Sequence, residues 1–322
     1  MTEKITPFKI FLLVFAIVFF VLAIVGGIFF SNATNNVLHT NTTIKVSTAE
    51  EFVKAIVTNS RNEEANTTIT LIADIELEEE HVKALNSVHN RLGSMGAVLY
   101  CTLDGECHSV AINPSVSAPL FECVYGAIKR TSFEFEEVES EDEKKSDLCA
   151  LTRVNHGKIE DVKLVVHYLV NAGEKNVGGI TNYNFGTISR CIVNLRSIKT
   201  KANTSWKRFG GIATNNLEEG EVNGAIVRVS FPSNFTPLTN DDTNLCVGYA
   251  FSFWSDTSKI SDVFVVKEKE GYFEKSCNPS GVEEREKTNL KNSDWDGWTF
   301  DSVNETTPFD DCLPYLKKKG GE

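Results

Sequence analysis

The longest apolar run of the chain lies near its start. Residues 10–30 form 21 consecutive positions without a charge or a strongly polar side chain. A helix of that length, rising ~1.5 Å per residue, matches the ~30 Å hydrocarbon core of a bilayer. The run therefore predicts a transmembrane signal anchor. A cleaved signal peptide is the alternative, because Ser31 and Ala33 have the small-x-small spacing of a cleavage site.

The basic residues around this run predict its orientation. Lys4 and Lys9 precede it, and no Lys or Arg follows until Lys45. By the positive-inside rule, residues 1–9 form a cytoplasmic tail and the remainder of the chain lies outside the plasma membrane. If the segment is cleaved instead, the same part of the chain is secreted.

A helical pattern follows the apolar run. Residues 31–46 are rich in Asn and Thr without a period, which predicts a stalk. Ser47 and Glu50 have the spacing of a capping box. The pattern predicts an amphipathic helix that ends near Thr58, and residues 67–79 then alternate as extended strand. The apolar stripe of the helix is Ala49, Phe52, Val53 and Ile56.

From about residue 98 onward the chain reads as β-rich and repetitive. Short apolar runs are separated by Gly, Asn, Asp and Ser, and five stretches share one pattern around an anchor residue. The anchors are Gly126, Gly157, Gly186, Gly220 and Ser258, spaced by 31, 29, 34 and 38 residues. A repeat of this length predicts coils whose apolar residues are buried only when successive coils stack. An ordinary β-sandwich is the alternative.

The repeats also give the candidate turn and core positions. Glycine allows sharp turns between strands, and Asn155 and Asn184, each two residues before a glycine, suit such turns. A single β domain is predicted over residues 47–316, with a tail over residues 317–322. The predicted turn and core positions are Gly126, Gly157, Gly178, Gly179, Gly186, Ile188, Gly210, Gly211 and Gly220.

These stretches resemble the Glug motif, a short repeat of β-helical surface proteins and adhesins. Residues 177–191 (VGGITNYNFGTISRC) match best, and residues 209–224 match with a two-residue insertion before Gly220. Residues 154–162 lack the Gly-Gly pair, and residues 125–131 match only as a fragment. The resemblance implies a right-handed parallel β-helix in an adhesin-like surface protein.

Two further regions carry the resemblance to either end of the domain. Residues 46–77 with residues 101–112 look like the capping helix and first coils of pectate-lyase-like β-helices. Residues 290–317 look like the closing segment of Glug adhesins, although a second Trp after Val303 is missing. The resemblance thus covers about residues 45–320 and implies an N-terminal capping helix for the β-helix.

Cysteines and sequons both follow the apolar run. The even number of cysteines predicts up to four disulfides in an oxidising compartment, with 105 possible connectivities; buried reduced thiols are the alternative. The cysteines are Cys101, Cys107, Cys123, Cys149, Cys191, Cys246, Cys277 and Cys312. Of six N-x-[ST] sequons, Asn32 lies too near the bilayer for modification. The predicted glycosylation sites are Asn41, Asn66, Asn203, Asn234 and Asn304.

Charge and motif content narrow the functional classes. The net charge is −12, and without residues 1–30 it is −13, which excludes the basic footprint of a nucleic-acid-binding protein. The Asp pairs at residues 241–242 and 310–311 lack the partner patches of β-helical hydrolases. The six histidines and eight cysteines show no zinc spacing, so no catalytic residue, metal or cofactor is predicted.

Two segments have a structural interpretation. The acidic residues 134–147 are interpreted as a solvated loop between coils, with a calcium site as the alternative. Phe251, Phe253 and Trp254 are interpreted as interior core side chains, with sugar stacking as the alternative.

The patterns together predict a single-pass cell-surface glycoprotein whose β-helical ectodomain is not an enzyme. It is expected to act in adhesion, or to bind a cell-surface, matrix or glycan partner. A polysaccharide lyase or glycoside hydrolase on the same fold, and a structural coat subunit, are the alternatives.

Overall fold

The computed structural model describes residues 41–63, 66–139, 147–171, 176–200, 208–230, 247–248, 250–267, 279–286, 298–299 and 315–316. Contacts divide the chain into two units, residues 1–41 and residues 42–322. Within the described ranges, no helix combines the length and the apolar character needed to cross a bilayer. The predicted anchor over residues 10–30 and the predicted tails lie outside those ranges.

The largest element of residues 42–322 is a 12-stranded sheet, called here the long sheet. All of its pairings are parallel. Its main path runs β1 (Thr42–Val46), β2 (Thr67–Leu71), β5 (Thr102–Asp104), β8 (Ala127–Glu139), β11 (Lys158–Asn171), β14 (Thr187–Leu195), β18 (Glu221–Val229), β21 (Lys259–Lys267) and β22 (Val282–Glu286). Beside this path lie β3 (Ile75–Leu77), β6 (Ser109–Val116) and β15 (Ile198–Thr200).

Two smaller parallel sheets accompany the long sheet, and one antiparallel pair lies near the end of the chain. The six-stranded sheet contains β4 (Val98–Leu99), β7 (Phe121–Val124), β10 (Thr152–Asn155), β13 (Thr181–Asn184), β17 (Ala213–Asn216) and β20 (Phe251–Trp254). The four-stranded sheet contains β9 (Leu148–Cys149), β12 (Asn176–Gly178), β16 (Arg208–Gly210) and β19 (Val247–Gly248). The antiparallel pair is β23 (Trp298–Thr299) with β24 (Tyr315–Leu316).

The chain visits the three parallel sheets in a fixed order. From β9 to β21 it passes four times from the four-stranded sheet to the six-stranded sheet and on to the long sheet. Each passage pairs with the next passage in register. A strand on the main path of the long sheet, together with the segment that leads into it, is called a rung. The prediction of a mainly β chain is therefore confirmed, and its three larger sheets are parallel.

The register confirms the spacing of the predicted anchors. The residues that directly follow Gly126, Gly157, Gly186, Gly220 and Ser258 pair with one another along the long sheet. The next position inward is a continuous apolar column, in which Ile188 is fully buried. Burying one such side chain contributes about 2 kcal/mol. The column is Ile44, Ile69, Leu103, Ile128, Ile159, Ile188, Val222 and Ile260.

The first helix differs from its prediction at both ends. Helix α1 spans Ala49–Asn62, and its N-cap is Thr48, whose hydroxyl accepts a hydrogen bond from the Glu51 amide at 3.3 Å. The capping pair is therefore shifted by one residue from the predicted Ser47 and Glu50. Strand β1 also begins inside the predicted stalk, because the TTIKV segment alternates apolar and polar residues.

Helix α1 continues past Thr58 because two polar side chains bind the edge of the six-stranded sheet. The side-chain oxygen Oδ1 of Asn59 accepts hydrogen bonds from the backbone amides of Tyr100 (2.9 Å) and Cys101 (3.2 Å). The Ser60 hydroxyl accepts the amide of Val98 at 3.0 Å. Both side chains are buried, so the polar run that predicted a helix end instead satisfies the edge strand β4.

Two further segments differ from the sequence interpretation. Helix α2 (Glu79–Asn86) buries Val82 and Leu85 where an extended piece was predicted to end. Residues 134–139 belong to strand β8, in which Phe135 and Val138 are buried. The interpretation of residues 134–147 as a loop is wrong for this part, because acidic side chains alternate with inward apolar ones. Residues 140–146 lie outside the described ranges.

A row of left-handed residues bends each rung of the long sheet. Arg130, Asp161, Arg190 and Asp262 have φ between 48° and 54° at equivalent positions, and Gly224 has φ 79°. Such φ values are costly for residues other than glycine. Arg130 Nε donates to Asp104 Oδ1 at 2.9 Å, and Arg190 Nε donates to Asp161 Oδ1 at 2.6 Å. These ion pairs offset the backbone strain of the arginines.

Candidate functional site

Four rings stack on the outside of the turn that leads from the six-stranded sheet into the long sheet. Tyr100, Tyr125, His156 and Phe185 each precede the first long-sheet residue of their rung by two positions. Successive ring centroids are 5.5, 5.1 and 4.9 Å apart, with interplanar angles of 7°, 8° and 15°. The four residues are called the aromatic ladder. They project from a rigid parallel scaffold rather than from a long loop.

A second ladder occupies the inside of the same turn. Asn155, Asn184 and Asn216 are fully buried and lie in register in β10, β13 and β17. Asn155 Nδ2 donates to Asn184 Oδ1 at 2.8 Å, and Asn184 Nδ2 donates to Asn216 Oδ1 at 2.7 Å. These three residues are called the asparagine ladder. Asn155 and Asn184 were predicted at the turn, whereas Asn216 was missed because Gly220 follows it by four residues.

Glycines allow the rungs to approach closely at this turn. A Cβ atom added to Gly126 would overlap the carbonyl oxygen of Cys101, and one added to Gly157 would overlap that of Gly126. The same holds for Gly186 and Gly157. Each added atom would meet the backbone of the neighbouring rung, so these glycines serve the stacking of rungs.

The two glycines of a Gly-Gly pair have different structural roles. A Cβ atom on Gly178 would overlap the carbonyl oxygen of Thr181 in the same turn. One on Gly179 would overlap the carbonyl oxygen of Gly211 in the next rung. The first glycine of the pair therefore permits the turn and the second permits stacking. Gly210, which pairs with Gly178, repeats the first role against Ala213.

An open groove of about 550 Å³ runs beside the aromatic ladder. Its other wall consists of side chains at the starts of the long-sheet strands: Thr102, Ala127, Lys158 and Thr187. Glu219 also lines it. The groove thus combines ring edges, hydroxyl groups, one exposed ammonium and one carboxylate. A mixed apolar and polar lining of this kind is typical of small-molecule and saccharide sites.

The ladder offers a ligand its ring edges. The neighbouring rings cover both faces of each inner ring. The surroundings of the two tyrosine hydroxyl groups also restrict these side chains. Burial raises the pKa of the Cys123 thiol to about 12, against the opposing effect of a hydrogen bond with the Tyr125 side chain. The thiol is therefore neutral at physiological pH and is no nucleophile. The Tyr100 hydroxyl is buried and has no hydrogen-bond partner among the described residues.

The predicted disulfides do not form among the five described cysteines. Cys123, Cys149 and Cys191 lie in three different sheets, so parallel stacking does not bring their side chains together. The thiol of Cys149 donates to Thr152 O at 3.1 Å, and that of Cys191 donates to Ser189 O at 3.3 Å. Burial raises the pKa of both thiols. Cys246, Cys277 and Cys312 lie outside the described residues.

Other predicted positions are only partly covered. Asn41 and Asn66 are exposed, whereas Asn203, Asn234 and Asn304 and both Asp pairs lie outside the described ranges. Phe251 is fully buried, as predicted, and Trp254 packs partly against the core. Phe253 is 40% exposed, so its assignment to the interior is wrong. In the described part of the chain, no group of three or more His, Cys, Asp and Glu side chains could hold a metal ion.

Sequence reasoning missed the aromatic ladder, although a signal was present. Tyr125, His156 and Phe185 each directly precede an anchor glycine, and Tyr100 precedes Cys101 at the equivalent position. The repeat pattern was defined by its glycines and apolar residues, which describe the core. The residue before each glycine points outward and lay outside that pattern.

Comparison of the chain with protein-family models, with curated proteins and with solved structures finds no match. The resemblance to the Glug motif therefore stays a prediction.

Proposed function

We propose that this chain is a membrane-anchored binding protein whose β domain is a right-handed parallel β-helix. The repeated passage through three parallel sheets in one order supports the β-helix. Parallel crossover connections are right-handed in nearly all proteins, which supports the hand. The apolar residues 10–30 and the basic residues before them support an anchor with the domain outside the cell.

The groove beside the aromatic ladder is the proposed binding site, and a glycan is the proposed ligand. The single observation that carries this proposal is the stack of four rings along the groove, of which Tyr125 and His156 are exposed and Tyr100 and Phe185 are half-buried. The ring edges, which carry partial positive charge, face the hydroxyl oxygens of a sugar, while Thr102, Lys158 and Thr187 offer hydrogen bonds to its hydroxyls. The ring centroids also repeat once per rung, 5.5, 5.1 and 4.9 Å apart, close to the length of one pyranose unit.

The groove lining favours binding over hydrolysis. Glycoside hydrolysis by the common mechanisms uses two carboxyl groups about 5–10 Å apart. Among the residues that line this groove in the described part of the chain, Glu219 is the one carboxylate. The protein is therefore proposed to hold a glycan of a cell surface or matrix without cleaving it.

Cells that display the full chain with a C-terminal tag test the proposal. The tag should be reached by antibody on intact cells, and the cells should retain labelled glycans from a panel of matrix and surface polysaccharides. Replacing His156 with Ala and Lys158 with Glu should abolish retention. Phe253→Ala is the matched control, because Phe253 is similarly exposed but does not line the groove.

Three results would count against the proposal. An antibody that reaches the tag only in permeabilised cells contradicts the extracytoplasmic compartment. Equal retention by the groove variant and the control contradicts the site. Cleavage of a retained glycan would favour a polysaccharide lyase or glycoside hydrolase instead.

A further inference from the structure

Asn66 occupies the next position of the aromatic ladder. Thr68 of β2 pairs with Thr102 of β5 in the same register that relates Thr102 to Ala127. Counting two residues back from each partner brings Asn66 level with Tyr100, as Tyr100 is level with Tyr125. Asn66 is exposed and stands one rung, ~4.8 Å, beyond the first ring of the ladder.

The surroundings of Tyr100 support this placement independently. The Glu63 carboxylate, three residues before Asn66, pairs with Arg91 at 3.2 Å. Burial, and next the charge of Glu63, raise the pKa of the Tyr100 hydroxyl. The end of helix α1 therefore lies beside Tyr100, which lines the groove, and Asn66 follows Glu63 by three residues.

Asn66, Thr67 and Thr68 form an N-glycosylation sequon. We propose that the first sugars of an N-linked glycan on Asn66 lie along the groove beside the aromatic ladder. This inference rests on the extracytoplasmic compartment of the proposed function. It goes further in naming a resident occupant of the site: the protein's own glycan.

Because the glycan is covalently attached to the protein, weak contacts are sufficient to hold it in the groove. A ligand held by a short flexible link has an effective concentration in the millimolar range, so a site with millimolar affinity is already half filled. From Tyr100 to Phe185 the groove spans three rung steps, about 14 Å, which accommodates the first few sugars of the glycan. Their hydroxyls meet Thr102, Lys158 and Thr187, and their oxygen atoms meet the positively polarised ring edges.

The tethered glycan would regulate binding. An external glycan has to displace the resident one from the Tyr100 end, so the unglycosylated protein should bind external glycans more tightly than the glycosylated protein. Occupancy of a single sequon thus sets the affinity of the groove.

The test uses the full chain produced in cells that attach N-glycans. Thr68→Ala removes the sequon, Thr68→Ser retains it as the matched control, and Asn66→Gln removes it without altering Thr68. Peptide mass spectrometry measures occupancy of Asn66. Hydroxyl-radical footprinting then compares the labelling rates of Tyr125 and His156, with exposed Phe253 as an internal reference. Circular dichroism confirms that each variant is folded.

The inference expects Asn66 to be occupied in the wild type and in Thr68→Ser. Tyr125 and His156 should be labelled about two-fold faster in both sequon-free variants, while Phe253 is unchanged. Equal labelling of Tyr125 and His156 overturns the inference, and so does an unoccupied Asn66. Glycans on other sequons with none on Asn66 would overturn it while leaving the proposed compartment standing.

Discussion

The asparagine ladder and the aromatic ladder are built from neighbouring residues on opposite sides of one turn. Asn155 precedes His156 and Asn184 precedes Phe185, yet the asparagines are fully buried and the rings line an open groove. Inside, Asn155 donates to Asn184, which in turn donates to Asn216. Outside, the rings contact one another and solvent.

The difference separates what the fold requires from what it leaves open. A buried amide without its partners costs about 1–3 kcal/mol, so the three asparagines depend on one another, whereas Leu99 and Val124 fill the same column with buried apolar side chains. The outer positions carry no hydrogen-bond chain, and Leu217 and Ser255, whose amides donate to the Asn184 and Asn216 carbonyl oxygens, follow Phe185 in the next two rungs. Four aromatic side chains in a row at a free position therefore point to a function.

The largest effect should come from the glycine that spaces both ladders. Gly157→Ala places a Cβ atom against the carbonyl oxygen of Gly126, and neither backbone can move without separating the rungs. We expect destabilisation of more than about 4 kcal/mol, measured by thermal or urea unfolding.

Gly93→Ala is the control for this change. Gly93 has φ 77° and open space around its Cα, so only backbone strain of about 1 kcal/mol is expected. If the two variants unfold alike, the close approach of the rungs at Gly157 is wrong.

The next effect should come from breaking the inner ladder at its centre. Asn184→Ala leaves Asn155 and Asn216 each short of a buried hydrogen-bond partner. The free energy of unfolding should fall by about 3 kcal/mol. Each kcal/mol corresponds to a fall of about 2–4 °C in Tm. Asn223→Ala, at an exposed position of β18, should remain near wild type. A wild-type Tm for Asn184→Ala would show that the ladder does not hold the turn.

A smaller, pH-dependent effect should arise at the left-handed row, away from both ladders. Burial of Asp104 favours its neutral form, but hydrogen bonds from Arg130, the Glu106 amide and Lys129 outweigh this and lower the pKa of Asp104. The stabilisation is present above the unfolded pKa of about 4 and is lost as pH falls through the lower folded value.

Asp104→Asn should therefore cost about 2 kcal/mol at pH 7, and the gap to the wild type should close in acid. Unfolding at a series of pH values measures this. Glu79→Gln, which removes an exposed ion pair with Lys83, is the control and should not change the profile. A gap that is constant with pH would show that the Asp104 charge is not what stabilises the bend.

The sequence predicted the inner features of the rungs better than the outer ones. Gly126, Gly157 and Gly186 recur because each must clear the backbone of its neighbour, and that requirement leaves a regular trace. The end of helix α1 was missed because Asn59 and Ser60 are polar residues whose partners lie about 40 positions away. No local pattern records such a partner.

The groove was missed for a related reason. It forms only when four rungs stack, so its residues share a wall without sharing a sequence neighbourhood. The cysteines show the opposite error: their even number predicted disulfides, but burial in separate sheets keeps the thiols of Cys123, Cys149 and Cys191 apart. Counting residues does not reveal which of them meet.

The claim that the outer ladder binds while the inner ladder stabilises is tested most directly by Phe185→Ala. The measurement is a titration of the purified full chain with the oligosaccharide that it retains best. Losing one ring should weaken binding by about five-fold, equivalent to about 1 kcal/mol, while Tm stays within a few degrees of wild type. Unchanged affinity in a folded Phe185→Ala variant would contradict the assignment of the groove as the binding site.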